Sequence, residues 1–102
     1  LLLALAVSAG GGGGCRRDAA WLDARDREDV MVQRAIAKRQ EGDLDGAIKL
    51  YLEAVNHGNR AGRAHLDLAL LLHHESKDYL GAICHYRRYL ELRPETEKRD
   101  MI

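Results

Sequence analysis

Histidine and cysteine are the side chains of this sequence best suited to bind a metal. The chain has five histidines and two cysteines. A zinc site needs three or four ligands, each about 2.0 to 2.3 Å from the ion. His65 and His73 would lie two turns apart on one helix, and the neighbours His73 and His74 would point about 100 degrees apart. Neither a C-x-x-C nor an H-x-x-x-H motif occurs. The spacing therefore predicts no metal, and histidine-mediated metal or ligand binding stays open as an alternative function.

The motifs of the common enzyme classes are absent from this sequence. It has no G-x-S-x-G, no P-loop and no G-x-G-x-x-G that opens a helix after a strand. The glycine run at residues 10–14 lacks the lysine that follows a phosphate-binding loop. We therefore predict that the chain is not an enzyme and that it has no catalytic residue and no cofactor.

The cysteine that closes the glycine run stands in the context of an export signal. Residues 1–9 are apolar apart from Ser8, which suits the core of a secretory signal but is too short for a bilayer, where about 20 residues are needed. Cys15 follows small residues, and in this the segment resembles a bacterial lipoprotein signal. We expect residues 1–14 to be a partial signal peptide and Cys15 to be lipidated, which would anchor the protein to a membrane of the bacterial cell envelope, on the periplasmic side.

Two other interpretations of the N-terminal segment stay open. Ordinary signal cleavage after Ala9 would give a secreted or periplasmic soluble protein. If the segment is instead a glycine-rich start without processing, the chain is neither lipidated at Cys15 nor cleaved after Ala9. Lipidation alone explains why a cysteine closes the glycine run. If Cys15 carries lipid, Cys84 has no partner, and we therefore predict no internal disulfide.

Charges of both signs are interleaved along the chain. Its 102 residues include 16 Lys and Arg and 16 Asp and Glu, so there is no basic stripe that would indicate a nucleic-acid partner. This length allows one small domain at most. The abundance of Leu, Ala, Glu, Asp and Arg favours helices over strands.

A nine-residue pattern that occurs twice indicates how these helices are arranged. D-x-x-G-A-I-x-x-Y describes Asp43–Tyr51 and again Asp78–Tyr86, which start 35 residues apart. Recurrence at this spacing is typical of stacked helical hairpins. Gly42 suits the left-handed position after a helix, and Asp43 suits the cap of the next helix. The pattern predicts an all-α chain of antiparallel helical hairpins.

The N-terminal composition and the repeated pattern together divide the chain into segments. Trp21 is expected to dock on the first helix of the first hairpin, with an exposed anchor near a membrane as the alternative. The predicted segments are a partial signal peptide at 1–14, a charged tether at 15–25, a first hairpin at 26–60, a second hairpin at 61–94 and the start of a further helix at 95–102.

These residues resemble tetratricopeptide repeats, a family whose unit is a pair of antiparallel helices of about 34 residues. Ala47, Tyr51 and Ala54 are similar to the small–aromatic–small series of the family's second helix, and Ala82 and Tyr86 are similar to it in the next repeat. Small residues let two helices approach closely, and the aromatic ring fills the space beside them. The resemblance implies a short α-solenoid of about two repeats, truncated after the start of a fifth helix.

The resemblance covers roughly residues 28–94, with one extra residue around 74–77, and it implies a concave face formed by the first helix of each pair. That face would carry Asp29, Val32, Ile36, Arg39, Gln40, Arg63, Leu66, Leu70, His73 and His74. An apolar groove with a basic and histidine-containing rim suits an amphipathic helix or an extended peptide.

The function that follows is a protein–protein interaction scaffold of the bacterial cell envelope, which binds a segment of another protein. The alternative is a structural accessory segment of a larger envelope protein or complex. In that case Leu66 and Leu70 would pack against another part of the assembly.

Overall fold

The computed structural model describes residues 19–56 and 61–102, and the regular secondary structure in this part of the chain is entirely helical. The predicted signal peptide and the predicted lipidation site, Cys15, lie outside the described residues. The described helices are α1 Ala19–Asp26, α2 Val30–Gln40, α3 Leu44–Ala54, α4 Gly62–Leu71 and α5 Tyr79–Leu92, with a π-helical turn at Leu72–Ser76 and a 3-10 helix at Arg99–Met101.

Two helical hairpins form the body of the described structure. Helix α2 packs against α3, α4 packs against α5, and α3 contacts α4 so that the hairpins stack. The all-α fold predicted from the repeated pattern is confirmed. The core is built mainly from alanines and leucines, together with Tyr51: Val32, Ala35, Ala47, Leu50, Tyr51, Ala54, Ala64, Leu68, Leu71, Leu72 and Ala82.

The second helix of each hairpin begins with the same cap. The Asp43 carboxylate accepts a hydrogen bond from the backbone N–H of Gly46 at 2.9 Å, and the Asp78 carboxylate accepts one from Gly81 at 3.0 Å. A Cβ on Gly81 would lie 2.5 Å from Asp78 Oδ2, so a larger residue would displace the capping carboxylate. Helix capping therefore explains the Asp and the Gly of the repeated pattern.

The turn between α4 and α5 accommodates the extra residue of the second hairpin. The helix widens into the π turn Leu72–Ser76, and the backbone N–H of Asp78 bonds the carbonyl of Leu72 at 2.9 Å. Lys77 then takes a φ of 60°, the left-handed position that Gly42 occupies with a φ of 86° in the first hairpin. Because a π turn has wider hydrogen-bond spacing than an α-helix, it absorbs the extra residue and leaves the following cap intact.

The N-terminal helix α1 replaces part of the predicted tether. It packs against α4, in the second hairpin, and two of its carboxylates, those of Asp23 and Asp26, are buried. Trp21 is half-exposed, and the Arg25 guanidinium lies 5.8 Å from the centre of its ring. The tether predicted at 15–25 is therefore corrected at residues 19–25, because these residues belong to a helix that docks through its acidic side chains.

A buried ionic cluster holds α1 against the end of α5. Arg93 follows α5 and is only 4% exposed; its Nε donates to Asp23 Oδ1 at 3.1 Å and its Nη2 donates to Asp26 Oδ2. The buried Tyr89 hydroxyl donates to Asp23 Oδ2 at 2.6 Å and bonds Thr96 Oγ1 at 2.9 Å. We call Asp23, Asp26, Tyr89, Arg93 and Thr96 the arginine cluster.

Asp26 also caps a helix from a distance. The N-cap residue of α4 is Ala61, and its side chain makes no hydrogen bond to the start of the helix. Instead, the backbone N–H of Arg63 donates to Asp26 Oδ2 at 3.1 Å. A carboxylate at this end satisfies a free N–H and interacts favourably with the helix dipole. Gly62 permits the arrangement, because a Cβ there would lie 2.5 Å from the Arg93 guanidinium carbon.

The C-terminal segment differs from the further helix predicted for residues 95–102. It consists of turns followed by the 3-10 helix Arg99–Met101. Thr96 is buried against Tyr89, and its hydroxyl accepts a hydrogen bond from the backbone N–H of Lys98 at 3.1 Å. The segment therefore folds back onto the arginine cluster, and this local hydrogen bonding competes with an α-helix.

We expect the substitution Asp26→Asn to lower the free energy of unfolding by about 3 kcal/mol, because it removes one charge from a buried ion pair. Unfolding in urea, followed by circular dichroism, measures the change. The matched control is Asp100→Asn, at an exposed aspartate of the 3-10 helix, where a change within about 0.5 kcal/mol is expected. Equal stability of Asp26→Asn and the unsubstituted protein would contradict a stabilising role for the arginine cluster.

Candidate functional site

A cavity of about 390 Å³ lies where the two hairpins meet, and we call it the inter-hairpin groove. Five of the residues predicted for the concave face line it: Ile36, Arg39, Gln40, Arg63 and Leu70. Four further lining residues were not predicted: Arg27, Tyr51, Asp67 and Glu75. The first helices of both hairpins, α2 and α4, therefore border the groove, together with the aromatic residue of the repeated pattern on α3.

The apolar part of the groove comes from both hairpins. Ile36 on α2 and Leu70 on α4 are partly buried, and Tyr51 on α3 is almost fully buried. Burial, assisted by the negative charge of Asp67, raises the pKa of Tyr51 to about 12. The phenol is therefore protonated and uncharged at neutral pH, so this part of the groove is suited to apolar side chains.

Ion pairs within α4 and between different segments form the charged part of the groove. Arg39 on α2 lies 2.6 Å from Glu75 in the π turn. Asp67 Oδ1 accepts hydrogen bonds from Arg63 Nε at 2.8 Å and from Arg27 Nη2 at 3.2 Å. Three arginines thus face two carboxylates, which leaves the lining one positive charge in excess. The second carboxylate oxygen of Asp67 is buried and has no hydrogen-bond partner in the structure.

Two predicted face residues belong to the core rather than to a surface. Val32 and Leu66 are 0% exposed, so neither can touch a partner. Their assignment to the concave face is corrected, because fully buried side chains belong to the packed interior and neither residue lines the groove. Asp29 acts as a cap: its carboxylate accepts a hydrogen bond from the backbone N–H of Met31 at 2.8 Å, at the start of α2.

The predicted face histidines lie on the π turn, outside the groove lining. The rings of His73 and His74 stack with centroids 4.3 Å apart, and His73 Nδ1 lies 3.0 Å from the Tyr86 hydroxyl. The spacing of an α-helix predicts that these neighbours point about 100 degrees apart. That expectation assumed an α-helical backbone, which the π turn replaces at this place.

A different pair of histidines meets between α4 and α5. His65 Nδ1 lies 3.0 Å from His85 Nδ1, and the two rings stack with centroids 5.2 Å apart. The two positions are equally distant from residue 75, near the turn of the hairpin, and in an antiparallel pair such positions face each other. Symmetry about the turn is therefore the feature of the sequence that indicates this pair.

The histidine pair borders a second cavity, which we call the α5 pocket. Its volume is about 490 Å³, and its lining is His65, Leu80, Ile83, Cys84, His85, Arg87, Arg88 and Glu91. A hydrogen bond between two ring nitrogens requires one to donate and the other to accept, which is possible only if the acceptor ring is neutral. Burial lowers the pKa of His65 to about 4 and also lowers the pKa of His85.

Comparisons with protein-family models, curated proteins and solved structures found no match to this chain. Over the part of the chain that the structure describes, no three or more His, Cys, Asp or Glu side chains converge on a metal site. Between residues 19 and 102, leaving aside 57–60, no helix combines the length and apolar character needed to cross a membrane.

We expect the free energy of unfolding to fall as the pH is lowered from about 6.5 to 4. The pKa of an unfolded histidine is about 6.5, whereas the pKa values of His65 and His85 are lowered by folding. Over this range the unfolded chain takes up protons that the folded chain does not, and the equilibrium shifts toward unfolding. Urea unfolding at several pH values measures the effect.

The double variant His65→Gln, His85→Gln isolates these groups from carboxylates that titrate in the same range. Its stability should depend less on pH between 6.5 and 4 than that of the unsubstituted protein. The control is His74→Gln, which alters an exposed histidine and should keep the original dependence. An identical pH profile for the double variant would show that this pair does not couple folding to pH.

Proposed function

We propose that this chain is a protein–protein interaction module that binds a segment of a partner protein in the inter-hairpin groove. The observation that carries the proposal is one cavity, bordered by both hairpins, in which apolar side chains adjoin arginines and carboxylates. A volume of about 390 Å³ lies in the lower part of the range of binding pockets, about 300 to 1,000 Å³. It suits a few side chains of a bound segment, and the mechanism is their burial rather than catalysis.

The lining favours a segment whose apolar side chains are flanked by acidic ones. Ile36 and Leu70 would contact the apolar side chains, while the excess positive charge would attract carboxylates. Arg39 and Glu75 are both solvent-accessible, and such an ion pair contributes about 1 kcal/mol or less. A partner carboxylate can therefore replace Glu75 beside Arg39 with only a small loss of free energy from the broken ion pair.

Peptides selected from a random displayed library against the full chain provide the test. We expect Ile36→Glu to weaken the binding of the selected peptides at least tenfold, because it places a charge in the apolar part of the groove; tenfold corresponds to about 1.4 kcal/mol. The matched control is Ile83→Glu, the same substitution at an exposed position on α5, outside the groove. Fluorescence titration measures both affinities, and circular dichroism checks that both variants fold.

Selected peptides that bind the Ile36→Glu variant as tightly as the unsubstituted protein would exclude the groove as their site. Failure to select any peptide would also count against the proposal. Selected sequences with apolar residues flanked by Asp or Glu are expected, and basic sequences would contradict the charge argument.

We also propose that the module is lipid-anchored in the bacterial cell envelope through Cys15. The support is the order of an apolar run at residues 1–9, small residues and then a cysteine. An acyl anchor would hold the helical hairpins at a membrane surface without a spanning helix. The alternative is a secreted or periplasmic soluble protein, cleaved after Ala9.

We expect Cys15→Ala to move the protein from the membrane fraction of a bacterial host to the soluble fraction and to abolish incorporation of labelled palmitate. The control is Cys84→Ala, which removes the other cysteine and should leave fractionation and labelling unchanged. Cell fractionation with immunoblotting measures the distribution. A Cys15→Ala protein that remains in the membrane fraction would refute the anchor.

A second candidate function is that of a structural accessory segment in a larger envelope protein or complex. The observation that favours it is the apolar outer surface of α5, where Tyr79, Leu80 and Ile83 are exposed and Leu80 reaches 82%. The two candidates predict opposite results for the same pair of variants. An accessory segment would lose its neighbour with Ile83→Glu, whereas an interaction module loses its partner with Ile36→Glu.

A further inference from the structure

The two histidines of the α5 pocket present ring nitrogens to each other at a distance that suits a shared ion. His65 Nδ1 and His85 Nδ1 are 3.0 Å apart. If an ion lies about 2.0 to 2.1 Å from each nitrogen, the nitrogen–ion–nitrogen angle is roughly 95 degrees. This is close to the right angle between neighbouring ligands of a square or octahedral ion and narrower than the tetrahedral angle.

The hairpin fixes both ligands before any ion arrives. His65 lies on α4 and is only 8% exposed, while His85 lies on α5, which packs along α4. Binding requires both rings to turn, because each Nδ1 lone pair must point at the ion instead of at the other ring. The hydrogen bond between the rings would be replaced by two bonds to the ion, and the proton of the donor ring would move from Nδ1 to Nε2, so that both rings bind as neutral imidazoles.

The surroundings leave room for the rest of a coordination shell. The α5 pocket has a volume of about 490 Å³, so water molecules can occupy the remaining positions around an ion. Glu91 carries a negative charge beside His65, and it is paired with Arg88 at 2.8 Å. Asp78 is the charged group that acts on His85. The neighbouring charges thus comprise two carboxylates and two arginines, Arg87 and the paired Arg88.

From this geometry we propose that His65 and His85 form a two-histidine site for a divalent transition-metal ion, Cu²⁺ before others, with water completing the coordination. Imidazole suits this class of ion, the near-right angle is typical of tetragonal Cu²⁺ or Ni²⁺ sites, and Cu²⁺ binds most tightly in the general order of divalent ions. The site shares no lining residue with the inter-hairpin groove. Its presence or absence leaves the proposed peptide binding unaffected.

The test titrates Cu²⁺ into the full chain with Cys15→Ser and Cys84→Ser, so that no thiol binds or reduces the ion. We expect one ion per chain by calorimetry, and nitrogen hyperfine structure from two imidazoles in the electron paramagnetic resonance spectrum. Cu²⁺ should also raise the melting temperature, because it binds the folded hairpin and links α4 to α5.

Adding His85→Gln to this background should weaken Cu²⁺ binding at least tenfold and remove the rise in melting temperature. The control pair is His73→Gln with His74→Gln, which removes two adjacent stacked histidines but should leave the affinity unchanged. Melting in metal-free buffer checks that each variant folds. An unchanged affinity in the His85→Gln variant, or a loss confined to the His73 and His74 variant, would overturn the site.

Discussion

The burial of the Arg93 guanidinium between two aspartates is the interaction on which the position of the N-terminal helix depends. Asp23 and Asp26 could not lie buried unpaired, since a charge without a partner in a protein interior carries a large desolvation cost. Arg93 contacts both carboxylates, Tyr89 donates to the first, and the start of α4 donates to the second. All the elements that meet there, α1, α4, α5 and the C-terminal turns, are thereby held in one arrangement.

The docking of α1 also affects the inter-hairpin groove, because the residue directly after this helix lines the groove. Arg27 comes directly after α1, and its guanidinium bonds Asp67 in the inter-hairpin groove. The docking of α1 therefore places one of the three arginines that give the groove its excess positive charge. The repeated pattern builds the two hairpins, whereas the charged residues of the groove differ between them. The framework is thus repetitive, and the chemistry of its surface is not.

Local features of this structure could be predicted from the sequence, and pairings between distant residues could not. The caps at Asp43 and Asp78 and the left-handed Gly42 follow from interactions within a few residues. The docking of α1 depends on pairs such as Asp23 with Arg93, and a charged stretch read alone indicates a solvated segment. Helical periodicity likewise predicts that a position is apolar, but it does not distinguish the buried Val32 from the groove residue Ile36, because that depends on how neighbouring helices cross.

The span of the arginine cluster also has a consequence for how this chain folds. Asp23 and Arg93 are separated by 70 positions, whereas each hairpin is closed by contacts between neighbouring helices. Contacts between nearby segments form fastest, and joining distant ones incurs a larger loss of chain entropy. We therefore expect the hairpins to form before the contacts of α1 with Arg93. A chain emerging from its N-terminus would therefore complete the arginine cluster only after Arg93, which follows the last α-helix, has been made.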